Sequence, residues 1–175
     1  MGKCGVKWGK FIYLCNRFLL INVRMRFLGN IEAKTDAKGR AFLPAIFRKV
    51  LQASGEENLV LRKDVFQKCL VLYPESVWNE RLDLLKSQLH PWKHTHQQMF
   101  RQFVSEAEVV TLDGNGRFLI SKRLLKVAEI DQDIQFIGMD NTIEMWAPER
   151  LKQTLKTEEE FGIEFENIMN NCEAL

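Results

Sequence analysis

The sequence lacks the features that mark several classes of protein. Its cysteines are scattered and contain no Cys-x-x-Cys pair, so neither a disulfide framework nor a zinc knuckle fits Cys4, Cys15, Cys69 and Cys172. A reducing cytoplasm is therefore the default compartment. There is also no Gly-x-Ser-x-Gly elbow, no Walker-type phosphate loop and no His-Glu-x-x-His pair. These absences argue against an enzyme, and no cofactor or small-molecule substrate is expected.

No apolar run is long enough for a comfortable membrane span. The most apolar stretch, residues 11–23, is interrupted by Asn16 and Arg17. It follows a basic start, as in a signal peptide, but no small-x-small cleavage site comes after it. Met25 is a second candidate start, and the periodic, turn-punctuated sequence begins there. We expect residues 1–24 to be an upstream extension without a folded role, with a membrane anchor as the alternative.

Positive charge is unevenly distributed along the chain. The 175 residues carry a net charge of +2, but the first 24 contain five basic residues and no acid, so residues 25–175 sum to −3. A nucleic-acid binder with that total must concentrate its positive charge locally or present one patch many times in an oligomer. Overall charge therefore argues mildly against DNA binding.

The sequence contains an internal repeat. Residues 36–51 and 113–128 align without gaps at an offset of 77, and five of sixteen positions are identical. Unrelated segments of that length share about one position. The identical pairs are Asp36/Asp113, Gly39/Gly116, Arg40/Arg117, Lys49/Lys126 and Val50/Val127. The chain therefore contains two copies of one unit, which is too few for a solenoid.

The segments that follow each copy also agree. Two short β-prone runs come after each, at 59–61 and 69–73 in the first unit and at 134–137 and 142–146 in the second. A proline then opens a helix, and Ser76 is the predicted N-cap of the first one. Each unit reads as strand, glycine turn, strand, short helix, strand, strand, helix. A further amphipathic helix is predicted between the units, and because neither unit buries much core alone, we expect them to pack together.

The repeated Asp-x-x-Gly-Arg segment has the chemistry of a tight turn. Glycine supplies a positive φ, and the aspartate side chain caps nearby backbone amides. The arginine emerges just past the turn, where it pairs with that aspartate, crosses to a neighbouring subunit, or reaches a phosphate or base edge. Spacing alone favours a hairpin turn with an arginine–carboxylate pair and leaves the other two roles open.

From about residue 25 to about residue 155 the chain resembles the MraZ family. The resemblance rests on the paired Asp-x-x-x-Arg motifs and on the segments 25–29, 39–44, 116–120 and 143–146. It implies an α+β, β-rich fold in which two tandem AbrB-like (swapped-hairpin) units pack as a pseudo-dimer with connecting and C-terminal helices. The implied division is an extension at 1–24, a first unit at 30–77, a helical connector at 78–106, a second unit at 107–150, and a C-terminal helix and acidic tail at 151–175.

The resemblance also implies a function. Members of the family are transcriptional regulators associated with the bacterial nucleoid, which form ring-shaped homo-oligomers. They bind short direct repeats upstream of the cell-division and cell-wall gene cluster that encodes them. Double-stranded DNA and further copies of the chain are thus the expected partners, and the cytoplasmic nucleoid is the expected location. The expected DNA-binding residues are Lys38, Arg40 and Arg117, and the motif residues that shape the turns are Asp36, Gly39, Asp113 and Gly116.

Three features depart from the family pattern. Ser121 stands where a proline is common, although Pro44 keeps that proline in the first unit. Asn115 stands where a basic residue is often found, as Lys38 is in the first unit. The extension has no counterpart. We therefore expect the first loop to be the main DNA contact.

Two other clusters are given structural interpretations. His90, His94 and His96 lie close in sequence, but no nearby carboxylate or cysteine completes a metal site and Lys93 opposes a cation, so a polar connector is expected and no metal. The acidic run from Glu158 is typical of a solvated helix face or a mobile tail, and its apolar neighbours leave a docking role open. The alternative to DNA binding is a non-DNA oligomeric interaction module, which the charge of −3 favours slightly.

Overall fold

A computed structural model describes residues 25–172 of the chain. These residues form eight strands: β1 (Phe27–Lys34), β2 (Arg40–Phe42), β3 (Asn58–Lys63), β4 (Leu70–Pro74), β5 (Ala107–Thr111), β6 (Arg117–Leu119), β7 (Asp133–Asp140) and β8 (Thr142–Trp146). They also form six helices: α1 (Ala45–Ser54), α2 (Glu75–Gln88), α3 (His94–Ser105), α4 (Lys122–Val127), α5 (Pro148–Thr154) and α6 (Glu158–Cys172). The expected extension at 1–24 lies outside the described residues.

The order of elements is the one that the repeat predicts. The first half runs β1, β2, α1, β3, β4, α2 and the second runs β5, β6, α4, β7, β8, α5, with α3 between them.

The predicted N-cap at Ser76 is wrong. Helix α2 begins at Glu75 and Pro74 occupies its N-cap position, with φ of −55° and ψ of 145°. Extended backbone at the proline lets the helix start at the next residue, so Ser76 already lies in the first turn.

The strands form one six-stranded antiparallel sheet and a separate two-stranded ribbon, so the fold is α+β. The order in the large sheet is β1-β7-β8-β4-β3-β5, and the ribbon pairs β2 with β6. When each strand is replaced by its equivalent in the other half, the same order results, read from the opposite edge of the sheet. The first strand of each half pairs with the other half, since β1 runs along β7 and β5 runs along β3. The two halves therefore share one sheet.

The central strands of the sheet are buried on both faces. One face packs against the ribbon, α1 and α4, in a core that includes Leu61, Leu72, Phe136, Ala41, Phe118, Phe47 and Leu124. The opposite face packs against α2 and part of α3, in a second cluster that includes Val60, Val71, Tyr73, Trp78 and Trp146. Strands covered on both sides read as continuous apolar runs, as residues 69–73 do. The ribbon and its turns thus lie on one side of the sheet, and α2 on the other.

The C-terminal segment is helical, and the acidic run lies on α6. Residues 158–170 of this helix are all exposed, including Phe161, Phe165 and Ile168. No helix in the described part of the chain is long and apolar enough to cross a membrane.

Candidate nucleic-acid interface

The two arginines of the repeated motif lie on one face of the β2–β6 ribbon. In the antiparallel register Arg40 faces Leu119, Ala41 faces Phe118 and Phe42 faces Arg117. Because side chains alternate along a strand, the central pair points to the core and the outer pairs point away from it. Ala41 and Phe118 are buried, whereas Phe42 and Leu119 are each more than half exposed. The outer face of the ribbon thus carries two arginines and two apolar side chains.

The first turn is built around the carboxylate of Asp36. Its Oδ1 accepts hydrogen bonds of 2.9 Å from the backbone N–H groups of Lys38 and Arg40. Its Oδ2 lies 2.7 Å from both Nε and Nη2 of the Arg40 side chain. Gly39 takes a φ of +82°, a conformation that glycine adopts without a steric penalty. The side chain of Lys38 is exposed at the tip of this turn.

The second turn has the same construction around Asp113. Oδ1 accepts hydrogen bonds of 2.9 Å and 3.0 Å from the N–H groups of Asn115 and Arg117, and Oδ2 accepts one of 2.9 Å from Arg117 Nε. Gly116 has a φ of +78°. The Arg117 guanidinium also lies over the Phe42 ring of the opposite strand, 5.6 Å from its centroid. In both turns the aspartate caps backbone amides and pairs with the arginine.

The hydrogen bonds in both turns favour the charged form of the aspartates. The pKa of Asp36 is lowered from its ordinary value, mainly by the backbone N–H of Arg40 and then by the Arg40 side chain. The pKa of Asp113 is lowered mainly by the backbone N–H of Arg117. Each carboxylate therefore stays ionised at neutral pH and balances the charge of its arginine.

The two turns are joined to each other and share one groove. The Ile120 N–H donates to the Gly39 carbonyl at 2.9 Å, and the Leu43 N–H donates to the Gly116 carbonyl at 3.0 Å. Beside the ribbon, a groove of about 400 Å³ is lined by residues that include both Arg40 and Arg117. The side chains of these arginines remain 35% and 25% exposed. Guanidinium groups that are positioned by a carboxylate and still open to solvent are suited to bind phosphate or base edges.

A further cation at the second turn was not among the residues singled out from the sequence. Arg48, on α1, lies against Gly116, and its Nη1 donates to the Asn115 carbonyl at 3.4 Å. The repeat aligns Arg48 with Leu125, so the position differs between the units. This difference between the aligned positions was the available signal for Arg48. The contact joins a helix of one half to a turn of the other, and the spacing of residues along the sequence does not reveal such a contact.

Ser121, which departs from the family's proline, is the N-cap of α4. Its Oγ accepts a hydrogen bond from the Leu124 N–H at 3.4 Å and donates to Glu108 Oε1 at 3.0 Å. In the first half, Pro44 occupies the same N-cap position of α1. A proline and a serine thus start equivalent helices by different means.

Two of the histidines support a local turn. The His96 imidazole Nδ1 accepts from the His90 backbone N–H at 3.0 Å, and His90 Nδ1 accepts from the Trp92 N–H at 3.3 Å. Within residues 25–172, no group of three or more histidine, cysteine, aspartate or glutamate residues is placed to hold a metal ion.

Comparison with known proteins identifies the family. The chain is 62% identical over 152 residues to the transcriptional regulator MraZ of Phocaeicola vulgatus, an alignment that covers 85% of this chain and 99% of that protein. The transcriptional regulators MraZ of Bacteroides thetaiotaomicron and Bacteroides fragilis are 61% and 57% identical, over 84% and 83% of the chain and 94% and 92% of the relatives. This chain belongs to the MraZ family.

A family model agrees with that assignment. The model described as "MraZ protein, putative antitoxin-like" matches residues 103–170, a segment that contains the second turn. The alignment with the Phocaeicola MraZ protein is long enough to include both turns. The resemblance to MraZ proteins suggested by the paired Asp-x-x-x-Arg motifs is therefore confirmed.

Proposed function

We propose that this chain is a transcriptional regulator that binds duplex DNA through the outer face of the β2–β6 ribbon and the two turns beside it. Arg40, Arg117 and Lys38 are the DNA-binding residues in this proposal. Asp36 and Asp113 orient the two arginines, and Gly39 and Gly116 allow the turns that place them. The function is binding, with no catalytic step, cofactor or small-molecule substrate.

One observation carries the proposal. The two motif arginines, 77 residues apart in the chain, lie on the same exposed face of one ribbon and line one groove. A two-stranded ribbon has the width of the DNA major groove, where arginine pairs with guanine edges and apolar groups contact thymine methyls. The names of the relatives, which are transcriptional regulators, support the same function.

The fold and the assembly belong to the same proposal. The exchange of β1 and β5 between the halves supports two AbrB-like, swapped-hairpin units packed as a pseudo-dimer. Because residues 25–175 sum to −3, one copy offers DNA a small basic surface. A ring of copies would present that surface to successive direct repeats, so that avidity replaces affinity at each site. We place these repeats upstream of the division and cell-wall gene cluster, and the protein at the cytoplasmic nucleoid.

The direct test is fluorescence anisotropy of the full chain with the duplex that lies upstream of its own gene. Titrations at several salt concentrations measure the slope of log K against log salt. This slope is negative and becomes steeper with each phosphate contact. Tight, salt-sensitive binding is expected for the wild type, and Arg40→Ala is expected to weaken it strongly while the protein stays folded and assembled. Arg81→Ala is the matched control, because Arg81 lies on α2, on the opposite side of the sheet, and stacks on Tyr73.

The second candidate function is a non-DNA interaction module. The net charge of −3 over residues 25–175 favours it, and so do the exposed apolar side chains of α6. It predicts no salt-dependent affinity for the upstream duplex by a correctly assembled protein. That result would reject DNA binding and leave both arginines as subunit contacts.

A further inference from the structure

The two turns differ in the side chain that lies against their glycine. A Cβ added to Gly39 would meet the Ile120 carbonyl oxygen at 2.9 Å and the side chain of Leu125 at 3.4 Å. A Cβ added to Gly116 would instead lie 2.4 Å from Nη1 and 2.6 Å from Cδ of Arg48. Leu125 and Arg48 are equivalent positions of the repeat. The apolar neighbour of the first turn is therefore replaced by a cation at the second.

At the tips of the turns the charged residue belongs to the other turn. The first turn has Lys38 where the second has the neutral Asn115. Arg40 and Arg117 are each balanced by their own aspartate. Among the described ion pairs none includes Lys38 or Arg48. Each turn is thus associated with one uncompensated positive charge, which is Lys38 at the first turn and Arg48 at the second.

Arg48 also retains hydrogen-bonding capacity. The single described hydrogen bond of its side chain runs 3.4 Å from Nη1 to the Asn115 carbonyl, which is long for a charged donor. Its buried Nε has no partner within the described residues. An arginine side chain carries five N–H donors. That buried Nε is closed to an external ligand, so a strong acceptor at the second turn would use the Nη donors that the protein itself leaves free.

We propose that Arg48 is a DNA-phosphate-binding residue that serves the second turn, in the place that Lys38 takes at the first. The inference rests on the proposed function and adds a residue from the opposite half of the chain to it. Both turns then bind phosphate with equal charge, which revises the expectation that the first loop is the main contact. The proximity of Arg48 also gives a second reason for glycine at position 116, because any side chain there would displace the guanidinium.

The test compares charge with packing at position 48, with the full chain and the same upstream duplex. Arg48→Gln keeps an N–H donor for the Asn115 carbonyl but removes the charge, whereas Arg48→Lys keeps the charge. For Arg48→Gln we expect several-fold weaker binding at low salt. We also expect the slope of log K against log salt to be less steep by about one unit. For Arg48→Lys, and for the control Arg81→Gln on the opposite side of the sheet, we expect a slope close to that of the wild type.

A second variant keeps the outcome clear if position 48 affects folding. Asn115→Lys in the Arg48→Gln background restores a cation at the second turn, in the position that Lys38 has at the first, and should restore the slope. Thermal unfolding of each variant reports whether it is folded. If the Arg48→Gln variant is folded and binds DNA with the affinity and the salt slope of the wild type, this inference alone is overturned. Arg48 is then a packing residue. Absence of binding by the wild type overturns the proposed function, and this inference with it.

Discussion

The carbonyl oxygen of Gly39 accepts a 2.9 Å hydrogen bond from the backbone N–H of Ile120, 81 positions further along the chain. The equivalent bond runs the other way, from Leu43 to Gly116. Each turn is therefore fixed by the strand that leaves the other turn. This reciprocal contact makes the geometry of the two motif arginines interdependent, so a change in one turn should affect both.

Substitution of Gly39 by alanine should destabilise the protein. Gly39 has a φ of +82°, and an added Cβ would lie 2.9 Å from the backbone carbonyl oxygen of Ile120. The N–H of the same residue makes the bond between the turns, so a shift of Ile120 would strain that bond. Strain of this kind costs about 1–3 kcal/mol. The free energy of unfolding in urea measures it. Gly114→Ala is the matched control, because nothing lies within 4 Å of a Cβ there, and a change of less than about 0.5 kcal/mol is expected.

The turns should lose their stabilising effect in acid. The pKa values of Asp36 and Asp113 are lowered in the folded state, mainly by backbone N–H donors, so the folded protein favours their ionised forms. This contribution is fully present above the unfolded pKa of about 3.9 and is lost as the pH falls through the lower folded pKa. The thermal midpoint of Asp36→Asn/Asp113→Asn should lie below that of the wild type at pH 7. The gap should narrow below about pH 4, and a gap independent of pH would contradict this assignment.

The core under the ribbon should depend on Phe47. This side chain is 0% exposed and contacts the Phe27 ring edge-on, with 5.7 Å between the ring centroids. Truncation to alanine leaves a cavity and should lower the free energy of unfolding by about 3–5 kcal/mol. The neighbouring Ile46 is 55% exposed, so Ile46→Ala should change it by less than about 0.5 kcal/mol. Equal effects of the two substitutions in urea denaturation would show that α1 is packed differently.

The elements of the fold were predictable because their signals are local. The glycines at positions 39 and 116, the prolines at the end of β4 and after β8, and the β-prone runs are signals that depend on neighbours within a few residues. The start of α2 was missed because serine is a common N-cap and the extended backbone at Pro74 could not be read from composition.

The contacts between the halves could not be read from spacing. Which strand pairs with β1 depends on the packing of the whole sheet, so spacing does not distinguish β7 from β3. The position of Arg48 follows from that exchange, since α1 of one half lies against the turn of the other. The motif predicted the arginines at the candidate interface, but only the assembled fold brings Arg48 to the second turn.

The attachment of α3 to the sheet should depend on Arg62. Its side chain is 5% exposed, donates to the carbonyls of Lys63 and Phe103 at 2.8 Å and 3.2 Å, and lies 4.0 Å from the centroid of the Phe103 ring. Arg62→Met keeps much of the aliphatic volume but leaves these carbonyls without their donor. We expect a loss of about 2–4 kcal/mol in the free energy of unfolding, together with faster amide hydrogen exchange in α3. Arg101→Met, at an exposed position of the same helix, is the control, and protection of α3 that is the same in both variants would mean that Arg62 does not hold the helix.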